Sequence, residues 1–343
     1  TPGCENAPAI GFIAHMDTVS DYCDHDIKPV ITRNYDGEAL ALGESGLVLS
    51  PEMFPHLKTL KERTLITSDG TTILGADDKA GIAGILTMVE RLKTQSIPHG
   101  PLCIAFTPDE EIGHGSDHFN VDYFNAQYAY TIDGGDIHIV EYENFNAFSA
   151  EVKVHGRSIH PGSAKNKMIN STRVAYEFDS LLPVHMRPES TEGYEGFNHL
   201  HSIQGTCEET VAEYIIRNHD LQQANKQCQD FKDIAKFLNK KYGYQIVEVT
   251  ITESYLNMKE ALKDHMFIVE QALAAIKENG LDAYCSPIRG GTDGARLTFK
   301  GLPCPNLGTG GFNYHGPYEY CSLTMMEKQV QILLYILKNT AFE

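Results

Sequence analysis

Short apolar runs bounded by turn residues alternate along this chain with stretches of helical period, a pattern that demands β-α units and a mostly parallel sheet. The runs at 9–14, 102–106, 128–132 and 304–307 read as strands. Between residues 77 and 93, Ile82, Ile85, Leu86, Val89 and Leu92 recur every three or four positions, as on one helix face. Met326, Val330, Leu333 and Leu337 repeat that spacing near the C-terminus. The middle differs: 147–156 reads as strand, 170–182 as helix, 197–206 and 210–218 as strands, 221–242 as helix and 245–253 as strand. That βαββαβ order is a ferredoxin-like unit in itself. Helix then resumes at 259–279 and strand at 283–288. The sequence thus predicts a discontinuous α/β domain, 1–143 and 257–343, with an α+β domain inserted at 144–256.

Composition narrows the function. The 343 residues match about two domains at ~150 residues each. Lys and Arg number 28 against 46 Asp and Glu, a net charge of −18 without a basic cluster, so nucleic acid is not an expected partner. The longest apolar run, residues 332–337, falls far short of the ~20 residues that span a bilayer, so no membrane partner is expected either. The eight cysteines form no CxxC pair, which fits reduced thiols and a cytoplasmic location. Residues 1–8 have neither a basic nor an apolar signal region, and the sequence does not begin with Met.

Chemistry-bearing residues gather where the strands end. His15 and Asp17 follow the first run, two residues apart on one face, as a metal ligand and the carboxylate that orients it would. Asp77 and Asp78 precede a helix; one acid suffices as a cap, so Asp78 is assigned to the cap and Asp77 is left free to bridge metals. Glu110 and Glu111 follow the run 102–106 and point in different directions, one able to hold a metal and the other the water beside it. Asp133 ends the run 128–132, and His315 lies in a glycine-containing loop. Singly, each has a bland explanation as a strand-end histidine, a helix cap or a solvated acidic loop. Together they cluster at carboxyl ends of strands, where open α/β sheets form their ligand crevice.

His15, Glu111, Asp133 and His315 can serve as terminal ligands with Asp77 bridging, so that two ions share one carboxylate and a bridging water completes a roughly tetrahedral set. Three carboxylates against two divalent ions leave one positive charge, which a hydroxide cancels. Such a pair of ions, ~3.5–4 Å apart, holds a nucleophile and polarises a carbonyl at once. With no Cys ligand, a purely structural zinc site is not expected.

The stretches AHMDTV (14–19), LGADDKAGIA (74–83), FTPDEEIG (106–113), YTIDGG (130–135), ENFNA (143–147), HPGSAK (160–165), TEGYEGF (191–197), YIIRNHD (214–220), PIRGGTDGA (287–295) and NYHG (313–316) resemble the dinuclear-zinc M20 metallopeptidases over essentially the whole chain. TEGYEGF and the segment between Asp17 and Asp77 look specific to the tripeptide aminopeptidase branch. The resemblance implies two zinc ions on His15, Asp77, Glu111, Asp133 and His315, with cobalt or manganese as possible substitutes. It adds Glu110 as general base and a cis peptide between Asp77 and Asp78. His160 would stabilise the oxyanion in the partner subunit's site. Arg217 and Arg289 would hold the substrate carboxylate, with Asn170 adding a hydrogen bond. The inserted domain would act as lid and dimer interface. Relatives carry several dozen more residues ahead of AHMDTV, so part of the N-terminus is expected to be missing from the recorded sequence. The reaction expected is removal of the N-terminal residue from tripeptides. Alternatives are a dipeptidase, carboxypeptidase or N-acyl amino acid deacylase of the same family, or a catalytically silent binding module.

Overall fold

The computed structural model describes residues 1–342, and the chain divides into two compact units. The first comprises Thr1–Tyr142, Met258–Ser286 and the chain from Thr292 onward; the second comprises Glu143–Asn257 and Pro287–Gly291.

A six-stranded sheet organises the first unit. Its order is Tyr284–Cys285, Ile139–Glu141, Asn306–Gly308, Tyr128–Gly134, Ile10–His15, Leu102–Thr107. The last four run parallel, and Ile139–Glu141 runs against Asn306–Gly308. Every residue of Ile10–His15 is buried, as suits a strand flanked on both sides and covered on both faces. The helix Ala76–Gln95 packs on Ile10–His15 and Tyr128–Gly134 and against the helix Leu323–Thr340.

That helix is rotated from the face its large apolar residues suggest, keeping Ile85 and Leu92 inside and Ile82 and Val89 half-buried. Ala80, Gly81, Gly84, Ile85, Met88 and Leu92 are buried, whereas Leu86 is 53% exposed. The cause is close approach: a Cβ on Gly81 would stand 2.0 Å from the Ile132 carbonyl oxygen, and one on Gly84 2.6 Å from Gln329 Oε1. Only the small-residue face lets the helix lie against the strand that carries Asp133.

Two further expectations are corrected. The helix expected at 259–279 breaks into Lys259–Leu262, a 3-10 turn at Lys263–His265 and Met266–Glu278. The strand expected at 283–288 keeps only Tyr284–Cys285, and Pro287–Gly291 joins the second unit. A small antiparallel sheet, Gly311–Phe312, Tyr320–Ser322, Leu65–Thr67, Val30–Thr32, was not anticipated. Strands of two or three residues are too short to show a period.

The second unit is a four-stranded antiparallel sheet ordered Phe197–Gly205, Glu209–Asn218, Asn146–His155, Val247–Tyr255. Alternate residues Phe148, Ala150, Val152 and Val154 point to one face. Val174 and Phe178 of the helix Ser171–Leu181, and Ala224, Cys228, Phe231, Ala235 and Leu238 of the helix Leu221–Tyr242, share their core. Among the described residues no helix is long and apolar enough to cross a membrane.

Because a Cβ on Gly81 would meet first the Ile132 backbone and then the buried Asp78 carboxylate, Gly81→Ala is expected to destabilise the protein by about 1–3 kcal/mol. Denaturant unfolding checks this, and an unchanged midpoint would contradict the tight contact.

Candidate metal centre

Five residues that the sequence singled out come together in the first unit. His15 Nε2 lies 2.9 Å from Asp77 Oδ1 and 3.3 Å from Asp133 Oδ1. His315 Nε2 lies 3.2 Å from Asp77 Oδ2 and 3.1 Å from Glu111 Oε2. Two potential metal-holding groups result, His15/Asp77/Asp133 and Asp77/Glu111/His315, each with its donor atoms within 4.8 Å of one another. Asp77 belongs to both and turns one oxygen toward each histidine.

Different elements place these side chains. His15 ends a central strand, and Asp133 lies near the end of its parallel neighbour. Asp77 and Asp78 have non-helical backbone at the start of Ala76–Gln95, and the peptide bond between them is cis. Asp78 is 1% exposed; its oxygens accept the Gly81 N–H (3.2 Å), a helix-capping bond, and the His15 N–H (3.1 Å). Glu110 and Glu111 sit in a tight turn after Leu102–Thr107, opened by Asp109 at φ 61°.

Asp17 does more than stand beside a histidine. Its Oδ1 is 3.3 Å from His15 Nδ1, while its two oxygens accept the backbone N–H groups of Glu110 and Glu111, each at 3.1 Å. One carboxylate therefore ties the end of the first strand to the turn that carries both glutamates.

Several residues at the site escaped the sequence reading. Asn306 Oδ1 accepts the Asp133 N–H (3.2 Å), and its amide donates to Glu141 (2.7 Å). Asp293, buried, accepts from the Thr107 hydroxyl at 2.8 Å. Glu319 accepts backbone N–H bonds from Leu74, Gly75 and Asp77. Each bond joins residues far apart in the chain, and no local spacing announces it.

The electrostatics are those of a site built for cations. Burial, and then the Asp133 charge, push the Glu110 carboxyl up to about 8; burial likewise pushes Asp133 up to about 7. For Asp77 burial acts upward as well, but hydrogen bonds to His15 and His315 outweigh it and hold the carboxyl well below its usual range. Burial opposes charge on His15, yet Asp133 and Asp77 carry its pKa up to about 12; His315 rises to about 10 through Asp77 and Glu111. Buried Glu111 Oε1 has no hydrogen-bond partner. Nitrogen and carboxylate donors, one carboxylate oxygen unpartnered and charges otherwise balanced only by protons fit a pair of divalent ions. His315 is the exposed member, with 52% of its side chain accessible against 2% for His15, so the centre opens on the His315 side.

The remaining residues singled out lie in the second unit. His160 Nδ1 accepts the Gly162 N–H at 3.1 Å, which leaves the ring proton on Nε2 in the neutral form. Asn170 caps the helix Ser171–Leu181, its Oδ1 accepting from Thr172 and Arg173 at 3.0 and 3.3 Å. Arg217 donates to the carbonyls of Phe148 and Ile216 and lies over the Tyr255 ring. Arg289 donates to the carbonyls of Gly193 and Glu195 and to Thr191 Oγ1, and stacks on Phe145 and Phe197.

Known proteins share this architecture. Residues 69–339 match peptidase family M20/M25/M40. Peptidase T of Caldanaerobacter subterraneus is 53% identical over 333 residues, 96% of this chain and 81% of its own. Peptidase T of Clostridium perfringens is 54% identical over 335 residues, 97% and 82% of the two chains. The crystal structure of a tripeptidase from Staphylococcus aureus superposes with a TM-score of 0.79 at 25% identity, covering 98% of this chain and 82% of its own. An aminopeptidase from Bacillus cereus shares the fold with the same TM-score at 23% identity, again over 98% and 82%. The fold is thus that of an α/β peptidase with an inserted domain. The chain belongs to peptidase family M20/M25/M40.

Because both histidines are protonated at pH 7 in the metal-free site, ion binding must displace their protons. Affinity is expected to rise with pH, with at least two protons released per chain at pH 7, since Asp133 and Glu110, raised to about 7 and about 8, also give up protons when cations bind. Calorimetric titration in buffers of different ionisation enthalpy measures this, and binding heats that do not depend on the buffer would contradict it.

Proposed function

We propose that the chain is a two-metal aminopeptidase that removes the N-terminal residue of tripeptides. The observation that carries the reading is the pair of ligand groups sharing Asp77, with Glu110 next to Glu111. Tripeptidase and Peptidase T relatives over nearly the full chain support the substrate class.

Two divalent ions in these groups would supply a water-derived nucleophile near neutral pH and polarise the scissile carbonyl. His15, Asp133, Glu111 and His315 would be their terminal ligands, Asp77 would be shared between them, and Asp17 would orient His15. Zinc suits this His/carboxylate set, and cobalt and manganese suit it too. Glu110 takes the proton from the attacking water and passes it to the leaving amine. His160, whose Nδ1 is occupied by Gly162, would offer Nε2–H to the oxyanion developing in the partner subunit's site.

Arg217 and Arg289 receive the substrate's C-terminal carboxylate, a task that suits planar guanidinium groups. Asn170 contributes through its amide N–H₂, because its oxygen caps a helix. The same reading makes the protein a cytoplasmic homodimer joined through the second unit, with small peptides and neither nucleic acid nor membrane as partner.

A panel of di-, tri- and tetrapeptides and N-acyl amino acids, assayed with wild type and Glu110→Gln, tests the proposal. Wild type is expected to favour tripeptides and to release the first residue. Glu110→Gln is expected to retain both metals while kcat falls by about 10²–10⁴. Equal rates across lengths would sink the tripeptidase reading. Loss of metal in Glu110→Gln would mean that the roles of the two glutamates are exchanged.

A further inference from the structure

We infer that Glu319 is a positioning residue that preforms one half of the metal centre, holding the shared ligand Asp77 and the loop of His315 in a single clamp. The inference rests on the two-ion reading above and concerns a residue that contributes to neither ligand group.

Glu319 is 1% exposed and lies four residues beyond His315. Its Oε2 accepts the N–H groups of Leu74 and Gly75, both at 2.7 Å, and its Oε1 accepts the Asp77 N–H at 2.9 Å. Segment 74–77 runs outside regular helix geometry, with Gly75 at φ 72° and Asp77 at φ −82°, ψ 105°. These N–H groups therefore lack helical partners. Three backbone donors converging on one carboxylate form an anion-binding concavity, filled here by the protein's own side chain. Unfilled, it would bury unsatisfied donors, at a cost in free energy.

The chemistry requires a carboxylate. Glu presents two acceptor oxygens and no donor, whereas Gln would satisfy Leu74 and Gly75 with its oxygen and turn an N–H₂ against the Asp77 N–H. A further negative charge here is unfavourable, since burial, and to a lesser extent the Asp77 charge, disfavour ionisation of Glu319. The three backbone bonds oppose that penalty, and they lead to the one ligand common to both groups.

At its other end the clamp holds a strained loop. Asn313 and His315 have φ of 57° and 65°. The Asn313 amide donates to the Tyr318 carbonyl (3.2 Å), and the Glu319 N–H donates to the Gly316 carbonyl (3.1 Å). Glu319 therefore joins Asp77 and His315, two of the three members of the exposed ligand group. The other group draws His15 and Asp133 from paired central strands and has the sheet for support. Although Asp77 is common to both groups, loss of the clamp should therefore fall chiefly on the Asp77/Glu111/His315 site.

Cobalt(II) titration of metal-free wild type and Glu319→Gln, followed by visible absorption, tests this. Wild type is expected to bind two ions. Glu319→Gln should bind the first ion as wild type does and the second about 10–100-fold more weakly, with the metal-free melting temperature within a few degrees of wild type. Wild-type affinity at both sites, or an equal loss at both with a lowered metal-free melting temperature, would overturn the role given to Glu319. Fewer than two ions in wild type would overturn the two-ion reading itself. Should Glu319→Gln not fold, hydrogen exchange on metal-free wild type decides. The 74–77 amides should be protected before any metal is added; protection that appears only with metal would overturn the clamp.

Discussion

Carboxylates do not crowd together in a protein interior unless something positive joins them, and the architecture of this chain follows from that constraint. Asp77, Asp133, Glu110 and Glu111 converge with Asp78 and Asp17 on two histidines. Without an ion, the site balances its charge with protons: the histidines hold theirs far above pH 7, and Asp133 and Glu110 are pushed toward neutrality. Two cations shared through Asp77 would relieve the same repulsion and convert it into metal affinity.

Assembling such a site requires supports that do not move when the charges change. The parallel strands Ile10–His15 and Tyr128–Gly134 supply the stiffest, and Gly81 lets the helix behind Asp77 lie directly on them. The loop-borne ligands are held by side chains bonded to backbone. Asp17 fixes the Glu110–Glu111 turn, Asn306 fixes Asp133, and Glu319 fixes the segment before Asp78. The candidate ligands thus come from parts of the chain as much as 300 residues apart, as His15 and His315 are, yet each is tied to a neighbour by short polar bonds.

Much of this was legible in the sequence for a physical reason. A buried parallel strand is an apolar run, so the polar residue that follows it stands out; His15, Glu111 and Asp133 were visible in that way, and Asp77 by redundancy with the capping Asp78. The αβ pattern of the second unit was visible because its strands of nine or ten residues alternate and its helices keep their period. What escaped had no period to show. Glu319, Asn306 and Asp293 act through bonds between distant residues. The face of Ala76–Gln95 was legible only in part, in Ile85 and Leu92, because large apolar residues were weighted over glycines, while backbone contact rotated Gly81 and Gly84 inward and Leu86 outward. The stretch 287–291 joined the second unit through Arg289, whose bonds to residues 191–195 no local pattern encodes.

The sharing of Asp77 is the central claim, and anomalous diffraction from metal-loaded crystals measures it most directly. The account predicts two peaks about 3.5–4 Å apart with one Asp77 oxygen on each. A single peak, or two peaks with Asp77 bound to only one of them, would contradict it.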